Sequence, residues 1–305
     1  VFAVTSTPEA IDWSSRPKTV DYARIEGLQF LGKYTRRLPV SIERMMENAF
    51  DWEHLPHVHA SSFASIECID SGAWGWRARA GQPPAEGAVA GANEQLLELL
   101  VDRAGHYWAT TIVDGPAAGI EIHTQAKPLT DSDIVIDVGF YSAQPLPQEQ
   151  VPLYYEVLRE QYALLYDEDL LLMLGRQRAL DARDARRNHP AAAASTGAPL
   201  TLLLGDVDSV FANVPLSVDT PEGRYCIRRH AGHWLVHSAV CPHRLGPLDE
   251  AVPDADGAIT CPWHGYRFDL VSGDNLDGQC PPLNTAAEVV ERRGNLYLVV
   301  PTYIR

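Results

Sequence analysis

Cys241-Pro-His243-Arg-Leu-Gly-Pro247 and Cys261-Pro-Trp-His264-Gly-Tyr-Arg-Phe268 are the stretches that decide how this 305-residue chain is read. Each puts a Cys close before a His in a Gly/Pro-rich segment, and 17 residues separate His243 from Cys261. Two thiolates and two imidazoles satisfy tetrahedral zinc. Divided between two irons, the same four side chains hold a [2Fe–2S] cluster with Cys on one iron and His on the other. Zinc modules with this donor set are mostly tiny units folded by their metal. Here both pairs sit inside a run of about 100 residues, long enough for a domain with its own core. Around them, residues 200–204, 225–228, 234–237, 259–260 and 297–300 read as short strands, with turns at Ala231-Gly232 and Arg293-Gly294 and no long helix. That pattern predicts a small all-β domain.

Upstream, residues 181–198 pass from a charged run (Asp181, Arg183, Asp184, Arg186, Arg187) into Pro190, four alanines and Ser195-Thr196-Gly197. This is the composition of a helix end followed by a linker. The organisation expected is therefore a first domain over 1–185, a linker over 186–198 and the β domain over 199–305. Within the first domain, 151–185 reads as one long helix opened by Pro152. Runs at 74–80, 106–113, 120–126 and 134–141 read as strands. Residues 41–59 are helix-like until Pro56, which should break or distort the helix. The first domain is thus expected to be α+β, an antiparallel sheet with a long C-terminal helix packed on it.

The formal charge of −15 argues against a nucleic-acid partner and against adhesion to anionic membranes. No apolar run approaches membrane-span length. Residues 1–8 lack the charged-then-apolar pattern of a leader, although the chain starts without Met and upstream residues remain open. Five cysteines are too few for a disulfide scaffold, which makes a reducing cytoplasm the simplest setting. Cys68, Cys226 and Cys280 read as ordinary buried thiols.

The first domain holds a second unusual segment, Glu47-Asn48-Ala-Phe-Asp51-Trp-Glu-His54-Leu-Pro-His57-Val-His59, with three His in six residues. It suggests a metal, yet spacing alone does not choose the pair: His54 and His57 would share a face of an intact helix, and Pro56 interrupts that helix. A two-His, one-carboxylate iron site needs an acid from elsewhere. The best source is Asp167-Glu168-Asp169 in the apolar part of the long helix, where buried acids are costly unless paired or metal-bound. Periodicity does not rank the three. Trp76, Trp108 and His123 are possible pocket residues that core packing would explain equally well.

The paired C-terminal segments resemble the Rieske motif, including the Pro after each Cys and the Gly after the second His. Gly246, Pro247 and Trp263 occupy the neighbourhood where respiratory members carry a loop disulfide, and Tyr266 stands where they usually have Ser. The resemblance is therefore to the ferredoxin and oxygenase class, which implies a potential near the low end of the Rieske range, about −150 mV. The whole chain resembles the catalytic α subunit of Rieske non-haem iron oxygenases. The family motif Asn-x2-Asp-x2-His-x4-His falls on Asn48, Asp51, His54 and His59, and its late Glu-Asp pair on Glu168-Asp169. This implies a helix-grip (START/SRPBCC-like) first domain and a Rieske domain ligated by Cys241, His243, Cys261 and His264. It also implies mononuclear Fe(II) on His54, His59 and Asp169, with Asn48 and His57 as neighbours and Asp51 linking His264 to His54. The order of the two domains is reversed relative to the family. The function implied is that of a terminal oxygenase of the EC 1.14 class, which oxidises a small organic substrate with O2. Electrons would come from a separate reductase, directly or through a ferredoxin, because no nicotinamide or flavin fingerprint is present. Family rings imply a homo-oligomer, a trimer by resemblance. The competing reading is a non-catalytic electron carrier whose first domain binds a ligand or partner.

Overall fold

A computed structural model describes residues 11–83, 93–188 and 198–301. The chain divides into two compact units, 1–173 and 174–305. Most of the expected linker, residues 189–197, lies outside the described residues.

The first unit is built on a seven-stranded antiparallel sheet in the order β1-β7-β6-β5-β4-β3-β2. Its strands are β1 (Gln29–Leu38), β2 (Ser65–Gly72), β3 (Gly75–Gly81), β4 (Glu94–Asp102), β5 (Tyr107–Asp114), β6 (Ile120–Thr130) and β7 (Asp133–Ser142). From β2 onward each strand pairs with the next in sequence, as short connections require. β7 shows the period-2 pattern behind this arrangement, with Ile134, Ile136, Val138 and Phe140 buried and the residues between them only partly so. The runs read as strands from sequence correspond to β3, β5, β6 and β7. β1, β2 and β4 were not anticipated, because charged side chains interrupt their apolar residues.

Between β1 and β2 lie α1 (Ile42–Phe50) and the one-turn α2 (Leu55–Val58). Ser41 caps α1 by accepting from the Arg44 N–H. The chain leaves the helix at Asp51, before Pro56 is reached, and Pro56 sits in the first turn of α2, where a missing N–H costs nothing. The expected break is thus displaced by five residues, and the displacement creates the turn that carries Asp51 and His54.

α3 (Val151–Asn188) runs past the expected end and continues through Gly175. Tyr155, Tyr162 and Tyr166, spaced to share a helix face, stack on the sheet: Tyr155 and Tyr162 against Phe140, and Tyr166 against Tyr34. Gly32 permits this approach, since a Cβ there would lie 2.1 Å from the Tyr155 ring. Register places Phe140, Ile122 and Thr110 in one cross-strand row on the α3 side. On the opposite side runs the row Arg77, Glu98, Thr111 and Glu121. Residues 13–24 cross that outer side, where Arg77 donates to Glu98 and to the carbonyls of Trp13, Arg16 and Pro17, and Arg16 and Arg24 pair with Glu98 and Glu121.

In the second unit β8 (Leu200–Asp206) is followed by the short α4 (Val207–Ala212), then β9 (Leu216–Thr220), β10 (Gly223–His230) and β11 (His233–Ser238). β12 (Ala258–Thr260), β13 (Arg267–Asp269), β14 (Glu288–Arg292) and β15 (Asn295–Val300) complete it. Two three-stranded sheets, β11-β10-β9 and β14-β15-β8, enclose a core of Tyr225, Ile227, Val236, Ala287, Leu298 and Val300. The β12–β13 hairpin stands apart as a two-stranded sheet. Among the described residues 198–301, α4 is the one helix, and the sequence reading did not include it.

Candidate metal centres

The two Cys/His segments of the second unit form matching loops. In the first, the Cys241 N–H donates to the Gly246 carbonyl at 2.8 Å and the Leu245 N–H to the Cys241 carbonyl at 3.0 Å. In the second, the Cys261 N–H donates to the Tyr266 carbonyl at 2.8 Å and the Gly265 N–H to the Cys261 carbonyl at 3.0 Å. Leu245 and Gly265, each four residues after a Cys, both have positive φ. At Leu245 this is the left-handed region, which a residue with a Cβ adopts only when its surroundings enforce it. The first loop is closed by the bridge between Val240 and Pro247, the second by the β12–β13 ladder.

These turns bring the two thiols together and the two imidazoles together. Cys241 and Cys261 are buried, and the rings of His243 and His264 lie 4.7 Å apart, nearly perpendicular. The two thiols interact. Cys261 is the more acidic, because Cys241 and the backbone N–H groups of Trp263 and His264 donate to its sulfur, whereas Cys261, with burial, pushes the Cys241 thiol up. Gly246 makes room: a Cβ there would lie 2.8 Å from the Cys261 sulfur. A pair of interacting buried thiols and a pair of adjacent imidazoles, carried by the same two loops, fit a [2Fe–2S] group with mixed ligation. All five cysteines are free thiols; Cys226 is buried as expected, but Cys68 and Cys280 are only partly so.

In the first unit, His54, His59 and Asp169 are all buried, and each offers a ligand atom within 4.8 Å of the others. Asp169 Oδ1 lies 3.2 Å from His54 Nε2 and 3.0 Å from His59 Nε2. The His59 ring is oriented from behind, where Nδ1 meets Glu168 Oε2 at 2.7 Å. Asp51 Oδ1 stands 3.9 Å from His54 Nδ1. Neither ring nitrogen of His54 makes a well-formed hydrogen bond. Such an orphaned, fully enclosed imidazole facing a carboxylate suits a metal ligand. Burial alone would lower the His54 pKa, but Asp169 and Asp51 together raise it to about 9. Asp169 is held far below the ordinary carboxylate range despite its burial, by His54 and His59.

The three acids of the helix separate cleanly. Asp167 is exposed and pairs with Arg36, Glu168 holds His59, and Asp169 faces both imidazoles. His57 is exposed, whereas His54 and His59 are buried. Asn48 is buried, with its Oδ1 lacking a hydrogen-bond partner. Trp76 and Trp108 are buried on the α3 side of the sheet, while His123, one residue out of phase with Thr124 opposite Trp108, faces the outer side. There His123 meets Tyr107 at 2.8 Å and lines a cavity of about 280 Å³ with Glu98, Glu121, Arg16 and Arg24. Sequence reading missed this outer polar layer; the charged residues inside the otherwise apolar β3, β4 and β6 were its only signal.

Residues 201–290 match the Rieske [2Fe-2S] domain family, so the C-terminal part of the chain carries a Rieske domain. The chain is 31% identical over 74 residues to pheophorbide a oxygenase, chloroplastic, of Oryza sativa subsp. japonica, covering 24% of this chain and 14% of that protein. It is 37% identical over 54 residues to protochlorophyllide-dependent translocon component 52, chloroplastic, of Arabidopsis thaliana, covering 18% of this chain and 10% of that protein. It thus spans only a small part of either relative. Among solved structures, the ferredoxin of carbazole 1,9a-dioxygenase from Nocardioides aromaticivorans IC177 is 27% identical, covers 34% of this chain and 98% of its own, and has a TM-score of 0.29. The ZhuI aromatase/cyclase from Streptomyces sp. R1128 is 15% identical, covers 50% of this chain and 98% of its own, and has a TM-score of 0.40. Among the described residues no helix is long and apolar enough to cross a membrane.

Proposed function

We propose that this chain is a Rieske-type terminal oxygenase, in which residues 199–305 carry the [2Fe–2S] cluster and residues 1–185 carry mononuclear Fe(II). The observation that supports it is the presence, in a chain with a Rieske domain, of a separate buried set of two imidazoles and one carboxylate. The oxygenase named among the relatives supports the same class. Bound to these residues, the cluster supplies electrons one at a time and Fe(II) supplies open coordination positions for O2.

The protein's part is orientation and proton placement. Glu168 accepts the Nδ1 proton of His59 and so leaves Nε2 as the metal-facing atom. Asp51, 3.9 Å from His54 Nδ1, is too far for a hydrogen bond but its charge favours a proton on that side of the second ring. In this reading Asp51 also belongs to the electron path from the cluster. Burial of all three donors keeps bulk water from competing for the site.

The substrate is a small organic molecule that is hydroxylated, demethylated or similarly oxidised. Reducing equivalents come from a reductase, directly or through a ferredoxin, and the active form is a homo-oligomer. The deciding experiment measures iron and acid-labile sulfide per chain on anaerobically purified protein, with EPR of the reduced state, then substrate-dependent O2 consumption with a surrogate reductase. About three irons and two sulfides with a Rieske signal are expected. Two irons, with no uptake of added Fe(II), would overturn the reading in favour of an electron carrier.

A further inference from the structure

Tyr225 and Ile227 of β10 point into the domain core, while Cys226 and Arg228 point to the opposite side of the strand. Arg228 is only 5% exposed. Its Nε donates to His237 Nε2 at 3.0 Å, and its Nη2 donates to the carbonyls of Leu248 at 2.7 Å and Asp249 at 2.8 Å. All three acceptors are uncharged, for His237 already donates its Nδ1 proton to the Ser238 carbonyl at 2.8 Å. The Asp249 carboxylate is taken by Arg224 at 2.9 Å and Ser217 at 2.8 Å. Among the described residues, no carboxylate pairs with Arg228. A buried cation whose direct hydrogen-bond acceptors are all uncharged is expensive, so its placement needs a reason.

The placement is next to the first cluster loop. Leu248 and Asp249 directly follow Pro247, which closes that loop on Val240, and the Leu248 N–H donates to Ala239 on the incoming side. Arg228 is therefore fastened to the outgoing end of the segment that carries Cys241 and His243. A cluster with two thiolates and two neutral imidazoles has no formal net charge when both irons are ferric. When one iron takes an electron from a donor, the cluster becomes singly negative. A fixed positive charge in a weakly screening interior favours that state.

We infer that Arg228 tunes the reduction potential of the cluster, acting as a buried charge with no carboxylate bound directly to it, which stabilises the reduced form. This depends on the cluster ligation alone, and stands or falls apart from oxygen chemistry at the first unit. The test is a potentiometric titration of the full chain, followed by EPR of the reduced cluster. Iron and sulfide content establish loading in each variant.

Arg228→Gln is expected to favour the oxidised form roughly tenfold, which for one electron is a fall of about 59 mV. Arg228→Lys keeps the charge while giving up the two-carbonyl fork, and should stay close to the unaltered protein. Asp249→Asn removes the neighbouring negative charge and should move the midpoint upward. A loaded Arg228→Gln protein with an unchanged midpoint overturns the inference. So does an equal fall in Arg228→Lys, which would make bracing, and not charge, the cause. If Arg228→Gln fails to load its cluster, the other two variants decide, and an Asp249→Asn protein without an upward shift overturns the inference.

Discussion

Asp169 Oδ1 lies 3.0 Å from His59 Nε2, joining a carboxylate on the long helix to an imidazole 110 positions earlier in the chain. His54 Nε2 reaches the same oxygen at 3.2 Å. Removal of this carboxylate takes away the one acid that faces both imidazoles, leaving His59 with Glu168 behind it and His54 with Asp51 at 3.9 Å. Asp169→Ala should therefore empty this site and leave the Rieske cluster intact. Iron per chain should fall by one while sulfide and the EPR signal of the reduced cluster stay unchanged. Iron unchanged in this variant would mean that the metal is held elsewhere.

Glu168 does not face the shared point; it holds His59 from behind at 2.7 Å. Groups in that position typically alter metal affinity by about 10–100-fold when removed. Glu168→Gln should weaken Fe(II) binding within that range without abolishing it, as measured by anaerobic titration with a competing chelator. An Asp167→Asn protein serves as the comparison. Asp167 pairs with Arg36 at the surface, so its loss should leave Fe(II) affinity unchanged.

These two variants also mark how far the sequence could be read. Both Cys/His pairs were legible, because their ligands lie a few residues apart and the turns between them follow from Pro and Gly. Four of the seven strands of the first unit were legible too, as β-branched and aromatic runs bounded by Gly, Pro and Asp. The three acids at 167–169 could not be ranked, since each has apolar neighbours on the helix and only the sheet decides which one is enclosed. His57 and His59 could be separated only by resemblance, because their difference depends on where α1 ends. That end is at Asp51, and no breaker residue marks it. The outer layer around Arg77 and Glu98 was invisible for a similar reason: its partners come from residues 13–24, which carry no regular pattern.

Gly246 offers a test of the loop geometry. A Cβ there would stand 2.8 Å from the Cys261 sulfur and 3.1 Å from the Trp263 ring. Trp263 is buried and cannot swing into solvent without exposing its ring. Gly246→Ala should therefore overpack the site, at a cost of about 1–3 kcal/mol, and lower cluster occupancy, read as sulfide per chain. Full occupancy with unaltered thermal stability would show that the loops are looser than their hydrogen bonds suggest.

His237 makes acid stability a property of the Rieske domain's interior. Burial, with the adjacent Arg228 guanidinium, lowers its pKa to about 4, from about 6.5 in the unfolded chain. Above pH 6.5 the imidazole is neutral in both states and its contribution to stability is fully present. Between about 6.5 and 4 the unfolded chain binds a proton that the native protein refuses, so acidification favours unfolding by up to about 3 kcal/mol. Below about 4 the native state takes up the proton as well and the slope from this residue ends. The cluster's own imidazoles add a pH dependence of their own, so a difference between proteins is the useful quantity. Urea unfolding at pH 7, 6 and 5 should show a steeper loss of stability for the unaltered chain than for His237→Gln, which has no proton to take up. The Gln amide can still accept from Arg228, which limits the structural change. Equal slopes in the two proteins would mean that the native interior admits the proton freely, and that Arg228 and His237 are less enclosed than their hydrogen bonds indicate.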